Sequence, residues 1–191
     1  MKNYTGKYLD IDHYRHFIDK ELANDLFEHF SENFNEDYKR RQTLLYGTKG
    51  LIYKVNYGGY GGKDKITTKH PVINWKHDDI LYTLKQQLEK ITEQKYNVCV
   101  VQYYPNGRIG INPHKDREMI KGTSICGISL GHSRNLIMHP PKFLNEQNKI
   151  IRLRKGSLYV LNTPTNQYWM HEIEKDSSTT PRISLTFRNY K

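Results

Sequence analysis

Apolar positions follow two regimes along the chain. Ile11, Tyr14, Phe17, Ile18, Leu22, Leu26, Phe27 and Phe30 recur at helical spacing between charged residues, which predicts an amphipathic helix laid on a sheet. From Thr43 to Tyr57 the pattern is short and β-like. It breaks at Gly58, Gly59, Gly61 and Gly62 and ends in the polar run Lys63 to His70. A second helix is predicted over Asp78–Thr92, with Asp78 and Asp79 near its N-terminus, where the helix dipole favours negative charge. After Tyr96 the chain reads as strands: Val98–Tyr104, Ser124–Leu130, Asn135–His139, Lys149–Arg154, Ser157–Asn162 and Arg182–Arg188. Turns fall at Asn106-Gly107 and Lys155-Gly156. Helices first and strands after point to an α+β fold with the strands in a sandwich or jelly roll. No domain boundary stands out in the 191 residues.

Composition narrows the class. Only 36% of residues are hydrophobic, and no stretch approaches a bilayer-spanning apolar run. Met1 to Asp10 is polar, with no apolar segment behind it of the kind a signal peptide needs. The 15 Tyr, 6 Phe and 2 Trp supply packing units throughout and argue against disorder. Cys99 and Cys126 are too few for a disulfide scaffold or a thiolate zinc site, and read as small buried residues in a reducing compartment. A soluble intracellular protein is expected, in nucleus or cytoplasm. Its net charge of +10 suits a polyanionic partner such as nucleic acid, or a lysine-rich surface that keeps the protein in solution.

Candidate chemistry begins at His114-Lys115-Asp116. In an extended segment residues i and i+2 share a face, so an imidazole and a carboxylate can meet one ion. Two histidines and a carboxylate make the facial triad of non-haem Fe(II) oxygenases, which leaves positions open for a cosubstrate and dioxygen. A second such pair, in His77-Asp78-Asp79, reads as a helix start, so the motif is weak alone. His171, in Tyr168-Trp169-Met170-His171, is the candidate third ligand. Arg182 and Arg188 lie six apart, which puts both on one strand face while Ile183, Leu185 and Phe187 take the other. Two inward arginines need anions, and a dicarboxylate would supply them. The alternative is an edge strand with a solvated basic face.

Four segments in order resemble the AlkB-like Fe(II)/2-oxoglutarate dioxygenases. They are Gln102-Tyr103-Tyr104-Pro105-Asn106-Gly107, His114-Lys115-Asp116-Arg117-Glu118, Pro164 to His171, and Arg182 to Arg188. The likeness runs from about Arg41 to the C-terminus and is strongest from Cys99 onward. It implies a double-stranded β-helix core with N-terminal helices packed on it and a nucleotide-recognition lid. Within one domain, about 1–40 would be an N-terminal helical extension, 41–95 the lid and a helix, and 96–191 the catalytic β core. His114, Asp116 and His171 would hold Fe(II). Gln102, Tyr104, Arg182, Ser184 and Arg188 would surround 2-oxoglutarate, with Arg188 on its far carboxylate and Arg182 nearer the metal and Asp116. Gln102 and Ser184 stand where the family usually has Asn, and both keep a polar group able to bond a carboxylate.

The resemblance also implies a substrate. Family members that repair alkylated bases flip the base out and stack it between an aromatic ring and the first metal histidine. Val55 to Gly59 resembles the segment supplying that ring, so Tyr57 is the candidate and Tyr53 the alternative, with core or surface packing equally open. Glu118 stands where relatives place an acid toward a cationic methylated base, beside Arg117. Lys63, Lys65 and Lys69 of the lid would meet phosphates, while Trp75 and Trp169 read as packing residues. The expected activity is removal of N-methyl lesions such as 1-methyladenine and 3-methylcytosine from DNA or RNA. It would consume O2 and 2-oxoglutarate and release succinate, CO2 and formaldehyde. The substrate would be single-stranded or a flipped base, and the enzyme a monomer. Open alternatives are a regulatory RNA or protein demethylase or hydroxylase, and an inactive nucleic-acid-binding module.

Overall fold

The computed structural model describes residues 1–48, 53–57 and 66–191, and of 53–57 and 66–70 the backbone alone. The described chain opens with β1 (Lys2–Gly6) and β2 (Leu9–Tyr14), then α1 (Lys20–Ser31), β3 (Gln42–Gly47), β4 (Tyr53–Tyr57), β5 (Ile66–His70) and β6 (Val72–Asn74). A 3-10 turn at Trp75–His77 leads into α2 (Asp79–Thr92). There follow β7 (Val98–Tyr104), β8 (Ile111–His114), β9 (Ile125–Gly131), β10 (Arg134–His139), β11 (Lys149–Leu153) and β12 (Ser157–Leu161). A single helical turn, α3 (Thr165–Tyr168), precedes β13 (Met170–Ile173) and β14 (Arg182–Arg188).

Eight strands form a large sheet in the order β1-β2-β12-β9-β14-β7-β3-β6, and four form a small one, β11-β10-β13-β8. Among the described residues, strands β4 and β5 pair only with each other. The two larger sheets share one core, in which Ile11, Val98, Val100, Ile125 and Leu161 meet Leu136, Met138, Ile151, Leu153 and Ile173. This is the jelly roll. The other face of the large sheet is also covered: Cys99, Val101, Cys126, Ile128, Ile183, Leu185 and Phe187 pack with Ala23, Leu26 and Phe30 of α1 and Leu81, Leu84 and Leu88 of α2. Burial on both faces explains why the central strands read as continuous apolar runs, and why all seven residues of β14 are buried.

Both helices start where a side chain accepts an otherwise orphaned N–H. Asp19 takes that of Leu22 and Asp78 that of Leu81, at 2.8 and 2.9 Å. The Asp78 cap makes His77-Asp78-Asp79 a helix start. Trp75 and Trp169 are packing residues, each 4% exposed or less. Cys99 and Cys126 are buried free thiols, and burial pushes both well above the usual thiol range, so they are inert. Among the described residues no helix is long and apolar enough to cross a membrane.

The first forty residues differ from expectation. Ile11 and Tyr14 lie on β2, not on a helix, and α1 begins only at Lys20. The deciding pattern is period two: Leu9, Ile11 and His13 are buried while Asp10, Asp12 and Tyr14 are half-exposed. Tyr8, at φ 60°, makes the tight turn between β1 and β2. Residues 1–14 are therefore a hairpin of the large sheet, added through the pairing of β2 with β12, and not part of a helical extension.

His13 on this hairpin is 2% exposed, and among the described residues neither ring nitrogen is hydrogen-bonded. Burial, with Arg15, Lys2 and the N-terminus, lowers its pKa to about 4. The unfolded chain then takes a proton near pH 6.5 that the folded chain refuses until about pH 4. Stability falls as pH drops through that window, by roughly 3 kcal/mol in all. His13→Phe should flatten this loss between pH 6.5 and 4 in thermal melts, and an unchanged slope would show that other groups set it.

Candidate active site

The small sheet builds one end of the site. His114 closes β8 and is the cross-strand partner of His171 on β13, and their ring centroids are 4.3 Å apart. Asp116 lies just past β8, where Asn166 clamps its backbone: Asn166 Oδ1 accepts the Asp116 N–H at 3.0 Å and Nδ2 donates to its carbonyl at 3.0 Å. The ligating atoms of His114, Asp116 and His171 all lie within 4.8 Å of one another. His114 Nδ1 bonds the Asn112 carbonyl at 2.9 Å, which fixes the ring and turns Nε2 to within 3.6 Å of Asp116 Oδ1. Burial, opposed by Asp116, pushes His171 down to about 3, so its imidazole is neutral and ready to ligate. Asp116 is held well below the usual carboxylate range: burial works against its charge, but Arg188 foremost, then His114 and His171, favours it.

The inward face of the large sheet builds the other end. Arg188 brings Nε to 3.1 Å from Asp116 Oδ2, an ion pair off hydrogen-bond alignment, and donates from Nη1 to Tyr190 Oη at 2.9 Å. Arg182 is 1% exposed. Its Nε donates to Ser129 Oγ at 2.9 Å, while both Nη atoms are buried without a partner among the described residues. Tyr104 lies 5.1 Å below this guanidinium and donates its O–H to Gln102 Oε1 at 3.0 Å. Ser184 Oγ and Thr186 Oγ1 face the same chamber, 3.5 Å apart. A further buried arginine, Arg134, stands behind Tyr104, but its donors are taken by the carbonyls of Glu174 and Ile109 and by Asp176.

This geometry corrects one expectation. Arg188, not Arg182, is the arginine beside Asp116 and the metal end, and Arg182 carries the free donors at the far end. The cause is topology: β14 pairs antiparallel with β7, so Arg188 stands opposite Val98 while Arg182 stands opposite Tyr104, away from the triad. The exposed edge-strand alternative is excluded, since β14 lies between β9 and β7.

Substrate-side candidates are less gathered. Arg117 is exposed and lines an open groove of ≈ 440 Å³ with Lys115, Asp116, Lys121, Asn166 and Lys191. Glu118 is half-buried, and its carbonyl accepts the Lys191 N–H at 3.1 Å. Tyr53 and Tyr57 are the two ends of β4, paired with His70 and Ile66, and their side chains lie outside the described residues. Lys63 and Lys65 lie outside them entirely, and Lys69 is described by backbone alone. Asn166, Asn112 and Ser129 were not singled out from sequence. Asn166 stands inside a quoted motif, and Ser129 could have been found from strand parity, two residues beyond Gly127 on the same face.

Two histidines and one carboxylate on a jelly roll, facing a chamber with an unpaired buried arginine, define a mononuclear metal site with an anion pocket beside it. The chain belongs to the 2OG-Fe(II) oxygenase superfamily, whose model matches residues 10–188. Within it the likeness is to AlkB-like proteins. The chain is 30% identical over 161 residues to bovine (Bos taurus) "DNA oxidative demethylase ALKBH2", covering 78% of this chain and 52% of that protein. It is 28% identical over 131 residues to mouse (Mus musculus) "Alpha-ketoglutarate-dependent dioxygenase alkB homolog 3", covering 63% and 45%. The chain thus spans about half the length of these relatives. Among solved structures, OsALKBH1 superposes with TM-score 0.61 at 13% identity over 97% of this chain and 100% of that one. A Pseudomonas putida prolyl-4-hydroxylase gives 0.53 at 16% over 95% and 93%. At such identities these two show the fold alone.

The residues fit the groups the family implies, Fe(II) and 2-oxoglutarate. The triad offers converging N and O donors, with Asp116 Oδ2 and His171 Nδ1 buried and free of hydrogen bonds. The unpartnered Nη pair of Arg182 is a fork of the shape a carboxylate takes.

Proposed function

We propose that this protein is an oxidative demethylase of nucleic acid, removing N-methyl groups such as those of 1-methyladenine and 3-methylcytosine from DNA or RNA. The carrying observation is the triad of His114, Asp116 and His171 set beside the unpaired Arg182 fork, and the likeness to a DNA oxidative demethylase supports the substrate class. When bound, Fe(II) and 2-oxoglutarate supply oxidation of the N-methyl carbon by O2, with release of succinate, CO2 and formaldehyde.

The chain's own residues hold and orient. His114, Asp116 and His171 hold the metal, and Asn166 and Asn112 keep Asp116 and His114 in place. Arg182 binds the far carboxylate of 2-oxoglutarate, with Tyr104, Gln102 and Ser184 around it. Arg188 steadies Asp116 and the metal-side end. Tyr57, or Tyr53, stacks on the flipped base, and Glu118 accepts from it or attracts its positive charge, with Arg117 on the neighbouring backbone. The net charge of +10 favours a polyanionic substrate, single-stranded or with its target base flipped. Buried free thiols suit action inside the cell, and we read the protein as a monomer.

The test is a 1-methyladenine oligonucleotide incubated with the protein, Fe(II), ascorbate and 2-oxoglutarate, and weighed by mass spectrometry. Loss of one methyl mass is expected only in the complete reaction and not with His114→Ala. An unchanged oligonucleotide alongside consumed 2-oxoglutarate would move the substrate elsewhere. If 2-oxoglutarate is untouched by iron-loaded protein, the oxygenase reading fails.

A further inference from the structure

Strand β12 carries Tyr159, a buried member of the core between the two sheets. In register Tyr159 stands opposite Gly127 of β9, which stands opposite Thr186 of β14. A Cβ at position 127 would collide with the edge and hydroxyl of the Tyr159 ring. The ring therefore lies across the glycine, toward the strand that carries both arginines. Only glycine leaves that space.

Tyr159 is 5% exposed, and beyond burial the groups that act on its phenol are Arg188, Arg182, Tyr104 and Asp116. It packs in the core shared by the two sheets, together with Tyr104, on the side where Arg188, Arg182 and Asp116 act on its phenol. Among the described residues no hydrogen bond reaches its hydroxyl. A phenol hydroxyl that no protein group engages is free to bond a ligand. The neighbouring Tyr104 has already given its proton to Gln102. The O–H of Tyr159 and the two Nη groups of Arg182 are thus uncommitted donors among the described residues, and in register Tyr159 lies across Gly127 from Thr186, two residues along β14 from Ser184. All of them are of the kind that an anion accepts from.

We propose that Tyr159 is a specificity-determining residue for the cosubstrate, its phenol donating to the far carboxylate of the 2-oxo dicarboxylic acid held by Arg182. This rests on the 2-oxoglutarate reading above. The donor selects a carboxylate at the fifth carbon over an apolar end, because an apolar end would leave both the phenol and the guanidinium without partners.

The test uses Mn(II)-loaded full chain, which binds without turnover. Affinity for 2-oxoglutarate is read by calorimetry, and for 2-oxopentanoate, which carries a methyl in place of the far carboxylate, by proton relaxation of metal-bound water. Tyr159→Phe keeps the ring over Gly127 and should melt as the wild type does. It should bind 2-oxoglutarate about tenfold more weakly and 2-oxopentanoate as well as the wild type. Unchanged affinity for 2-oxoglutarate would remove Tyr159 from the site. An equal loss for both acids would show that it only packs. If the wild type itself failed to bind 2-oxoglutarate, the cosubstrate reading would fall, and the role of Tyr159 with it.

Discussion

Asp116→Ala should take up no stoichiometric iron and lose 2-oxoglutarate turnover by on the order of a thousandfold or more. Its metal-free form should also melt lower than metal-free wild type. The first effect follows from losing the carboxylate of a three-ligand set whose atoms lie within 4.8 Å. The second follows from Arg188, whose Nε sits 3.1 Å from Asp116 Oδ2. Removing one partner of a buried ion pair strands the other, at a cost of about 3 kcal/mol. In a domain of this length that is roughly 6–12 °C. Iron is read by a colorimetric chelator assay and the melt by calorimetry on chelator-treated protein. The two readouts separate roles: lost iron with an unchanged melt would mean that Arg188 is satisfied without Asp116, and Tyr190 alone would then hold it. His171→Ala, by contrast, should lose iron without that destabilisation, because His171 is buried neutral and strands no charge.

The same pair shows what the sequence carried and what it could not. Parity along a strand is local, so Arg182 and Arg188 could be placed on one face and Ile183, Leu185 and Phe187 on the other before any fold was known. The structure has that arrangement, with the arginines inward and the apolar residues under the helices. The facial triad was legible for a related reason. His-x-Asp is a period-two motif, and His171 stood in the strand-rich half. Which arginine faces the metal was not legible, because it depends on how β14 runs past β7, a long-range pairing that no local pattern encodes. The N-terminal hairpin was missed by a different route. Ile11, Tyr14, Phe17 and Ile18 satisfy helical spacing, yet Leu9, Ile11 and His13 also satisfy alternation, and pairing with β12 decided for the strand. Tyr159 and Gly127 sit in apolar runs whose members look alike in sequence. Only the register that sets them opposite each other turns one into a site residue and the other into its space.

Arg182→Met should weaken 2-oxoglutarate binding at least a hundredfold while leaving the free protein as stable as wild type, or more so. The guanidinium is 1% exposed, and its one hydrogen bond, from Nε to Ser129, leaves both Nη groups unsatisfied. An unpaired buried cation opposes folding, and replacing it by an apolar side chain of similar length removes that cost. The same cation is what a carboxylate meets through two parallel hydrogen bonds, so the energy withheld from folding is released on binding. Stability and affinity thus move in opposite directions at this position, whereas at Asp116 stability and metal binding fall together. Calorimetric titration of Mn(II)-loaded protein gives the affinity, and the melt of the unliganded protein gives the stability. A destabilised Arg182→Met protein that still binds 2-oxoglutarate like wild type would make Arg182 a structural residue. The far carboxylate would then have to meet another cation, and Arg134 is the one that stands behind Tyr104. Its donors, however, are already committed to the carbonyls of Glu174 and Ile109. To receive a carboxylate Arg134 would have to give up backbone bonds that tie β10 to the segment after β13, and the loss in stability would appear on binding. At Arg182 no bond is exchanged, which is why the free fork, and not the nearer count of positive charges, identifies the anion pocket.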